Sequence, residues 1–157
     1  MAIDTHIKFS GIDGESAHKD HKGEIEVLSW NWNVSTGISA GTGGGRVGKA
    51  SPGDIVFTHM YDKASPKLAK TCVQGTALKE VYLTARKSGE GQKDFLKVTM
   101  KEVFVSSLQV ADGTGEIAET MTLKYGNIDF GYKPQDAKGA LGSEVAFSWN
   151  VKTGKVT

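Results

Sequence analysis

The chain has 157 residues, which suits one domain whose core needs no metal or disulfide support. Lys and Arg total 19 and Asp and Glu total 18, so the formal net charge of +1 gives no support for binding nucleic acid or an anionic membrane. The single cysteine, Cys72, cannot form an intramolecular disulfide, which favours a reducing compartment, and no run of about 18 apolar residues could span a bilayer.

Alternation of apolar and polar residues dominates the chain and predicts a mainly β fold. The N-terminal segment opens this pattern, with Ile7 and Phe9 on one face and His6 and Lys8 on the other, and it does not resemble a signal peptide. Eight or so short strands separated by glycine-rich turns indicate a single-domain β-barrel or two-sheet sandwich. The predicted strands cover 3–9, 24–34, 55–60, 78–86, 95–108, 118–132 and 145–151.

Two of the longer strands change phase along their length. The apolar positions before Lys101-Glu102 are even-numbered and those after it, such as Val103, are odd-numbered. A similar change separates Tyr125 from Ile128. The first change predicts a β-bulge.

One short segment, about Pro66 to Gln74, has the pattern of a flanking α-helix. Ser65 is the predicted N-cap, Pro66 the first helical residue and Gly75 the C-terminal glycine. A helix this short must dock on the sheet. The predicted docking stripe is Leu68, Ala69, Cys72 and Val73.

The second predicted strand has two different faces. Trp30 and Trp32 share one face with Leu28 and Val34 and are assigned to the core. The opposite face carries the small uncharged side chains of Ser29, Asn31 and Asn33. Such a face suits contact with changing partners, although an ordinary solvent-facing side of a sheet has a similar pattern.

A glycine-rich stretch with almost nothing to bury follows this strand at 35–53. A structureless loop of that length is uncommon in a compact domain unless it acts on something outside its own core. Its Gly43 to Lys49 segment matches the phosphate-loop pattern, but Ala50 replaces the hydroxyl residue that should follow and Ser51-Pro52 begins no helix. Nucleotide binding through this segment is therefore kept only as an alternative.

No other residue pattern supports catalysis, a cofactor or a metal. His18 and His21 lie in a polar segment predicted to be exposed and solvated, without a second ligand cluster. Cys72 is predicted to be a buried structural thiol, and His59 has no partner serine or cysteine that would suggest a triad. We therefore predict a protein that is not an enzyme.

The order of several short motifs along the whole chain resembles the Hcp (haemolysin-coregulated protein) family of the type VI secretion system. No single motif is diagnostic, but together they are specific. They are Met1-Ala-Ile-Asp4, Ile7-Lys8, Gly14-Glu-Ser16, the strand from Glu24 to Trp32 with the glycine run after it, Phe57-Thr58, Asp62-Lys63, Ser65-Pro66, Leu83 to Lys87, Lys101 to Ser107, and Phe147-Ser-Trp-Asn150.

This resemblance implies a β-barrel subunit that closes into six-membered rings, which stack into the inner tube inside a contractile sheath. It implies VgrG spike, sheath, baseplate and small effector proteins as partners, and export from the bacterial cytoplasm without a cleaved signal. It implies that Ser29, Asn31 and Asn33 line the ring lumen and that the glycine-rich loop reaches the next ring. The loop residues assigned to that contact are Ser39, Thr42, Gly43, Gly44, Gly45, Arg46, Val47 and Lys49.

We expect residues 1–157 to form one such domain without a fused C-terminal effector domain. Two alternatives to the tube subunit remain open. One is a phosphate- or nucleotide-binding protein that uses Gly43 to Lys49, and the other is a monomeric β-sandwich that binds a ligand in a pocket.

Overall fold

A computed structural model describes residues 2–39 and 46–157 of the chain. The mainly β prediction is confirmed, because strands make up most of this part. Their bounds are β1 (Ile3–Phe9), β2 (Ile25–Val27), β3 (Ser29–Asn31), β4 (Val34–Ser39), β5 (Arg46–Pro52), β6 (Ile55–Met60), β7 (Leu78–Lys87), β8 (Leu96–Asp112), β9 (Ile117–Tyr132) and β10 (Val145–Asn150), with helix α1 (Ser65–Gln74) between β6 and β7.

Seven strands form a nearly closed antiparallel barrel in the order β2-β1-β7-β8-β9-β6-β3, and β10 pairs with β9. The end strands β2 and β3 are consecutive in the chain, so one segment pairs with β1 in its first half and with β6 in its second. Between them, the backbone N–H of Leu28 donates to the carbonyl oxygen of Thr58 at 2.8 Å. The chain therefore forms a barrel. The predicted strand 24–34 is divided at the closing seam, which is the place between β2 and β3 where the two ends of the barrel sheet meet.

The division of that strand overturns part of the predicted core. Leu28 is 61% exposed at the seam, and Val34 is exposed at the start of β4. Trp30 and Trp32 are half-buried and pack against the core, as predicted. The core itself is lined by fully buried side chains from the inner faces of the barrel and from α1: Phe9, Phe57, Ile7, Ile25, Ile55, Leu68, Leu83, Met100, Met121, Leu123 and Ile128.

The two predicted changes in the alternation of apolar residues, one on β8 and one on β9, lie opposite each other in the barrel. Glu102 on β8 adopts a positive φ of 52°, and the register places Gly126 of β9 opposite it. A Cβ at Gly126 would lie 2.8 Å from Glu102 Oε2, so a glycine fits where the two strands reverse their pleat together. The prediction of a β-bulge at Lys101-Glu102 is wrong, because the pairing runs without a shift from Lys101 opposite Asn127 to Val103 opposite Tyr125. The register shift lies between Val105 and Ser107.

Helix α1 is present, but two details of its prediction are wrong. Its N-cap is Ala64 rather than Ser65, since the Ser65 hydroxyl accepts the Asp62 N–H at 3.1 Å while Asp62 Oδ1 accepts the Ala64 N–H at 2.9 Å. Gly75 ends the helix in the left-handed conformation, as predicted. Val73 is 88% exposed because α1 docks on β8 mainly through the earlier part of the apolar stripe.

The prediction of a structureless segment at 35–53 is wrong for the residues that the structure describes. Strands β4 and β5 pair antiparallel from Val34 opposite Pro52 to Ser39 opposite Arg46, with a register shift between Thr36 and Ile38. They form a separate two-stranded sheet, which we call the ribbon. Backbone pairing supplies the ribbon's regular structure, which apolar periodicity did not predict.

Candidate functional site: the polar face and the ribbon

An uncharged patch lies on the outside of four adjacent strands, β3, β6, β9 and β8, beside the ion pair of Lys124 and Asp54. The register aligns Ser29, Thr58, Thr120 and Gln109 in one row. A second row contains Asn31, Val56, Thr122 and Ser107. We call these eight residues the polar face, which combines seven neutral polar side chains with the half-buried Val56.

Internal hydrogen bonds hold the middle of the polar face. The hydroxyl groups of Thr58 and Thr120 are 3.0 Å apart across β6 and β9. Next to them, the Ser106 hydroxyl donates to the Thr122 carbonyl oxygen at 3.2 Å. Because the face carries no formal charge, it can contact a partner without the desolvation cost of an ion.

The sequence predicted only the β3 part of this surface. Ser29 and Asn31 are exposed on it, as expected from alternation. Asn33 is also exposed but lies beyond the end of β3, beside Gly53 at the base of the ribbon. The other contributors were missed because strand pairing is not readable from one sequence, although the alternate threonines Thr120 and Thr122 were a usable signal.

A buried tyrosine anchors the ribbon to the barrel. Trp32 Nε1 donates to the Tyr125 hydroxyl at 2.7 Å, and that hydroxyl donates to the Gly53 carbonyl oxygen at 2.5 Å. Burial is the main cause that raises the pKa of Tyr125 above its ordinary value, so the hydroxyl stays protonated and can donate. The ring of Trp32 lies 4.6 Å from that of Phe130, which stacks on Phe147.

An apolar cleft of about 260 Å³ lies between the ribbon base and β10. Its walls contain one charged residue, Lys49 of β5. Ile38, on the other strand of the ribbon, is 71% exposed. One chain thus presents an apolar cleft and an exposed apolar side chain at different places. The cleft is lined by Trp32, Val34, Lys49, Ala50, Phe147, Trp149, Gly154 and Val156.

The predicted loop residues divide into two groups. Thr42, Gly43, Gly44 and Gly45 lie outside the described residues. Ser39 belongs to β4, and Arg46, Val47 and Lys49 belong to β5. Ala50 to Pro52 continue β5, so no helix N-terminus follows Lys49 and the context of a phosphate loop is missing.

The prediction that the segment around His18 and His21 is exposed and solvated is wrong for His21, which is buried. Cys72 is a free, half-buried thiol rather than a fully buried one. His59 is fully buried and hydrogen-bonded to Glu119 at 2.8 Å, inside the barrel. In the described ranges, no group of three or more His, Cys, Asp or Glu residues is arranged to hold a metal. Nor is any helix there long and apolar enough to cross a membrane.

Comparison with known proteins identifies the family. The family model described as "Type VI secretion system effector, Hcp" matches residues 6–132. The chain belongs to the Hcp family. It is 40% identical to Protein hcp1 of Pseudomonas aeruginosa over 157 residues, with 97% of each chain covered.

Two solved structures have the same fold. One, described as the structure of a type six secretion system protein, has a TM-score of 0.93 and 31% identity, covering 99% of this chain and all of the other. Hcp1 from Salmonella typhimurium has a TM-score of 0.82 and 32% identity, with both chains fully covered. The chain is therefore a type VI secretion tube protein, and family membership makes it a structural protein rather than an enzyme.

Proposed function

We propose that this Hcp-family chain forms six-membered rings that stack into the inner tube, and that the polar face lines the ring lumen, where effector proteins are carried. The observation that supports the lumen assignment is the uncharged surface that continues across four strands. A lumen surface that must release effector proteins should bind them through weak, neutral contacts, because paired charges would hold one particular effector tightly.

Self-assembly is supported by the cleft and the ribbon. A ring or a stack requires the chain to use two different surfaces, one on each neighbour, which is a heterologous contact. The exposed Ile38 and the apolar cleft are two surfaces of this kind. We assign the ribbon, together with the predicted loop residues Thr42 to Gly45, to the contact between stacked rings.

The proposed partners are further copies of this chain, the VgrG spike, sheath and baseplate proteins, and small effectors. The proposed route begins in the bacterial cytoplasm and ends outside the cell when the sheath contracts, without signal-peptide cleavage. Among the described residues, β5 continues past Lys49 where a phosphate loop needs a helix, and we assign the apolar cleft to contact between subunits rather than to a ligand. A ligand-dependent stabilisation by nucleotide, or a monomer with an occupied pocket, would instead support one of the two alternatives.

The lumen assignment is tested by placing a charge on the polar face. Asn31→Glu should leave ring mass unchanged and reduce the co-purification of a bound effector at least about tenfold, which is the effect of about 1.4 kcal/mol. Val73→Glu adds the same charge at an exposed position on α1, which contributes no residue to the polar face, and is the matched control. Effector retention that Asn31→Glu leaves unchanged for several effectors would contradict the lumen assignment.

A further inference from the structure

Three of the four histidines in the chain meet on the outer side of the barrel. His6 projects outward from β1, and residues 16–24, which we call the histidine loop, cross over it. The rings of His6 and His21 are stacked, with centroids 4.6 Å apart and planes 10° apart. The ring of His18 lies 5.1 Å from His6 and 5.5 Å from His21.

Carboxylates and one arginine hold His21 in this position. Its Nδ1 is 2.8 Å from Glu24 Oε2, and its Nε2 is 3.0 Å from Asp94 Oδ1. Arg86 on β7 donates from Nε to Asp94 and from Nη1 to Asp20, each at 2.8 Å. These bonds tie the histidine loop to β7 and to the turn that follows it.

His6 is buried without hydrogen bonds comparable to those of His21. It is 3% exposed, and its Nδ1 has no hydrogen-bond partner among the described residues. Its cross-strand neighbours are Glu26 on β2 and Thr84 on β7. The titratable and charged groups around it are Asp4 and Lys8 on its own strand, Glu26 on β2, Arg86 on β7, Asp94 in the turn after β7, and His18, Asp20, His21 and Glu24 in the histidine loop.

We propose that this cluster is an acid-sensitive latch, in which neutral His6 lets the histidine loop lie on β1 and protonation of His6 releases it. A proton on His6 places a positive charge against the stacked ring of His21 and next to His18, in a site largely closed to water. Lifting the loop exposes His6 to solvent and separates the three rings.

The direction of the pH dependence follows from the same geometry. The pKa of His6 is lowered from its ordinary 6.5, first by burial and then by His21 and His18, while Glu24 and Asp4 oppose the shift. The closed state therefore binds fewer protons than the open state between the lowered pKa and about 6.5. Closure is at full strength above about pH 6.5 and weakens as the pH falls.

Release would act on the closing seam of the barrel. The histidine loop runs directly into β2, and backbone bonds from Ser16 to Glu24 and from Gly23 to Ser16 hold its two ends together. β2 has only three residues and provides one side of the seam. Every group in the latch belongs to one chain, so the latch does not depend on the proposed ring assembly.

Hydrogen exchange on the full-length protein tests the latch. Protection of amides in residues 16–24 should fall between pH 7.5 and pH 5, after correction for intrinsic exchange rates. One linked proton allows a fall of up to about tenfold per pH unit. Amides of β9 in the core should keep their protection at both pH values, because the opening is local.

Two variants distinguish His6 from other titrating groups. His6→Phe keeps an aromatic ring on His21 but cannot be protonated, and His6→Gln is a smaller neutral replacement. Either variant should flatten the pH dependence of the loop. The latch is overturned if the wild-type loop is equally protected at both pH values, if loop and β9 lose protection together, or if both variants keep the wild-type pH dependence. If neither variant folds, the wild-type His6 ring is followed by NMR, and a ring that titrates at or above its ordinary value of 6.5 overturns the latch.

Discussion

The barrel and the ribbon contain the same kind of backbone pairing but differ in what their side chains contact. Apolar side chains of the barrel strands, such as Leu83 and Ile128, are fully buried against one another. The ribbon leaves Ile38 and Val34 exposed and forms its own two-stranded sheet. An isolated two-stranded sheet is marginal in water. The barrel is therefore stabilised by its own contacts, whereas we expect the ribbon to be stabilised further by contact with other copies of the chain.

The largest expected difference in stability comes from substituting one isoleucine in each region. Ile128→Ala should lower the free energy of unfolding by about 2–5 kcal/mol because it leaves a cavity in the core. Ile38→Ala should change it by no more than about 0.5 kcal/mol, since the side chain is exposed. Urea unfolding at matched protein concentrations measures both. Equal losses in the two variants would mean that the ribbon packs on its own domain.

A pair of glycines tests the junction between the regions. A Cβ at Gly53 would lie 1.8 Å from the Asn33 carbonyl oxygen, whereas a Cβ at Gly37 would meet nothing within 4 Å. Gly53→Ala should therefore force the ribbon base apart and cost about 1–3 kcal/mol, in the range of overpacked sites. Gly37→Ala is the control within the ribbon. Equal melting temperatures for the two variants would contradict the close packing of Gly53 against Asn33.

The smallest effect concerns the tyrosine anchor. Tyr125→Phe removes the hydroxyl that accepts from Trp32 and donates to Gly53. We expect a loss of about 1 kcal/mol, as for a partly buried hydrogen bond, together with a change in tryptophan fluorescence. Unchanged stability and fluorescence would show that the ribbon does not depend on this anchor.

The strands could be predicted from the sequence wherever burial of one face makes apolar residues alternate along the chain. The inner face of β1 and the reversal of phase at Glu102 and Gly126 both follow apolar positions that the sequence displays. The split of the second strand at Leu28 was not predictable, because a change of pairing partner at a barrel seam leaves no periodic signal.

The candidate site was predictable only where one strand carried it. Ser29 and Asn31 alternate with tryptophans, so their face could be read directly. Thr58, Gln109 and Thr120 joined them only through strand register, which needs the fold. The burial of His21 was missed for a similar reason, since Asp94 and Arg86 are distant in sequence.

Electron microscopy of the purified protein, with and without residues 41–48, tests the central claim most directly. We expect six-fold rings for both proteins and fewer ring-on-ring contacts for the shortened one, because the barrel has its own core and the proposed contact between rings uses the ribbon. Monomers in the intact protein, or an unfolded barrel after the deletion, would contradict this claim.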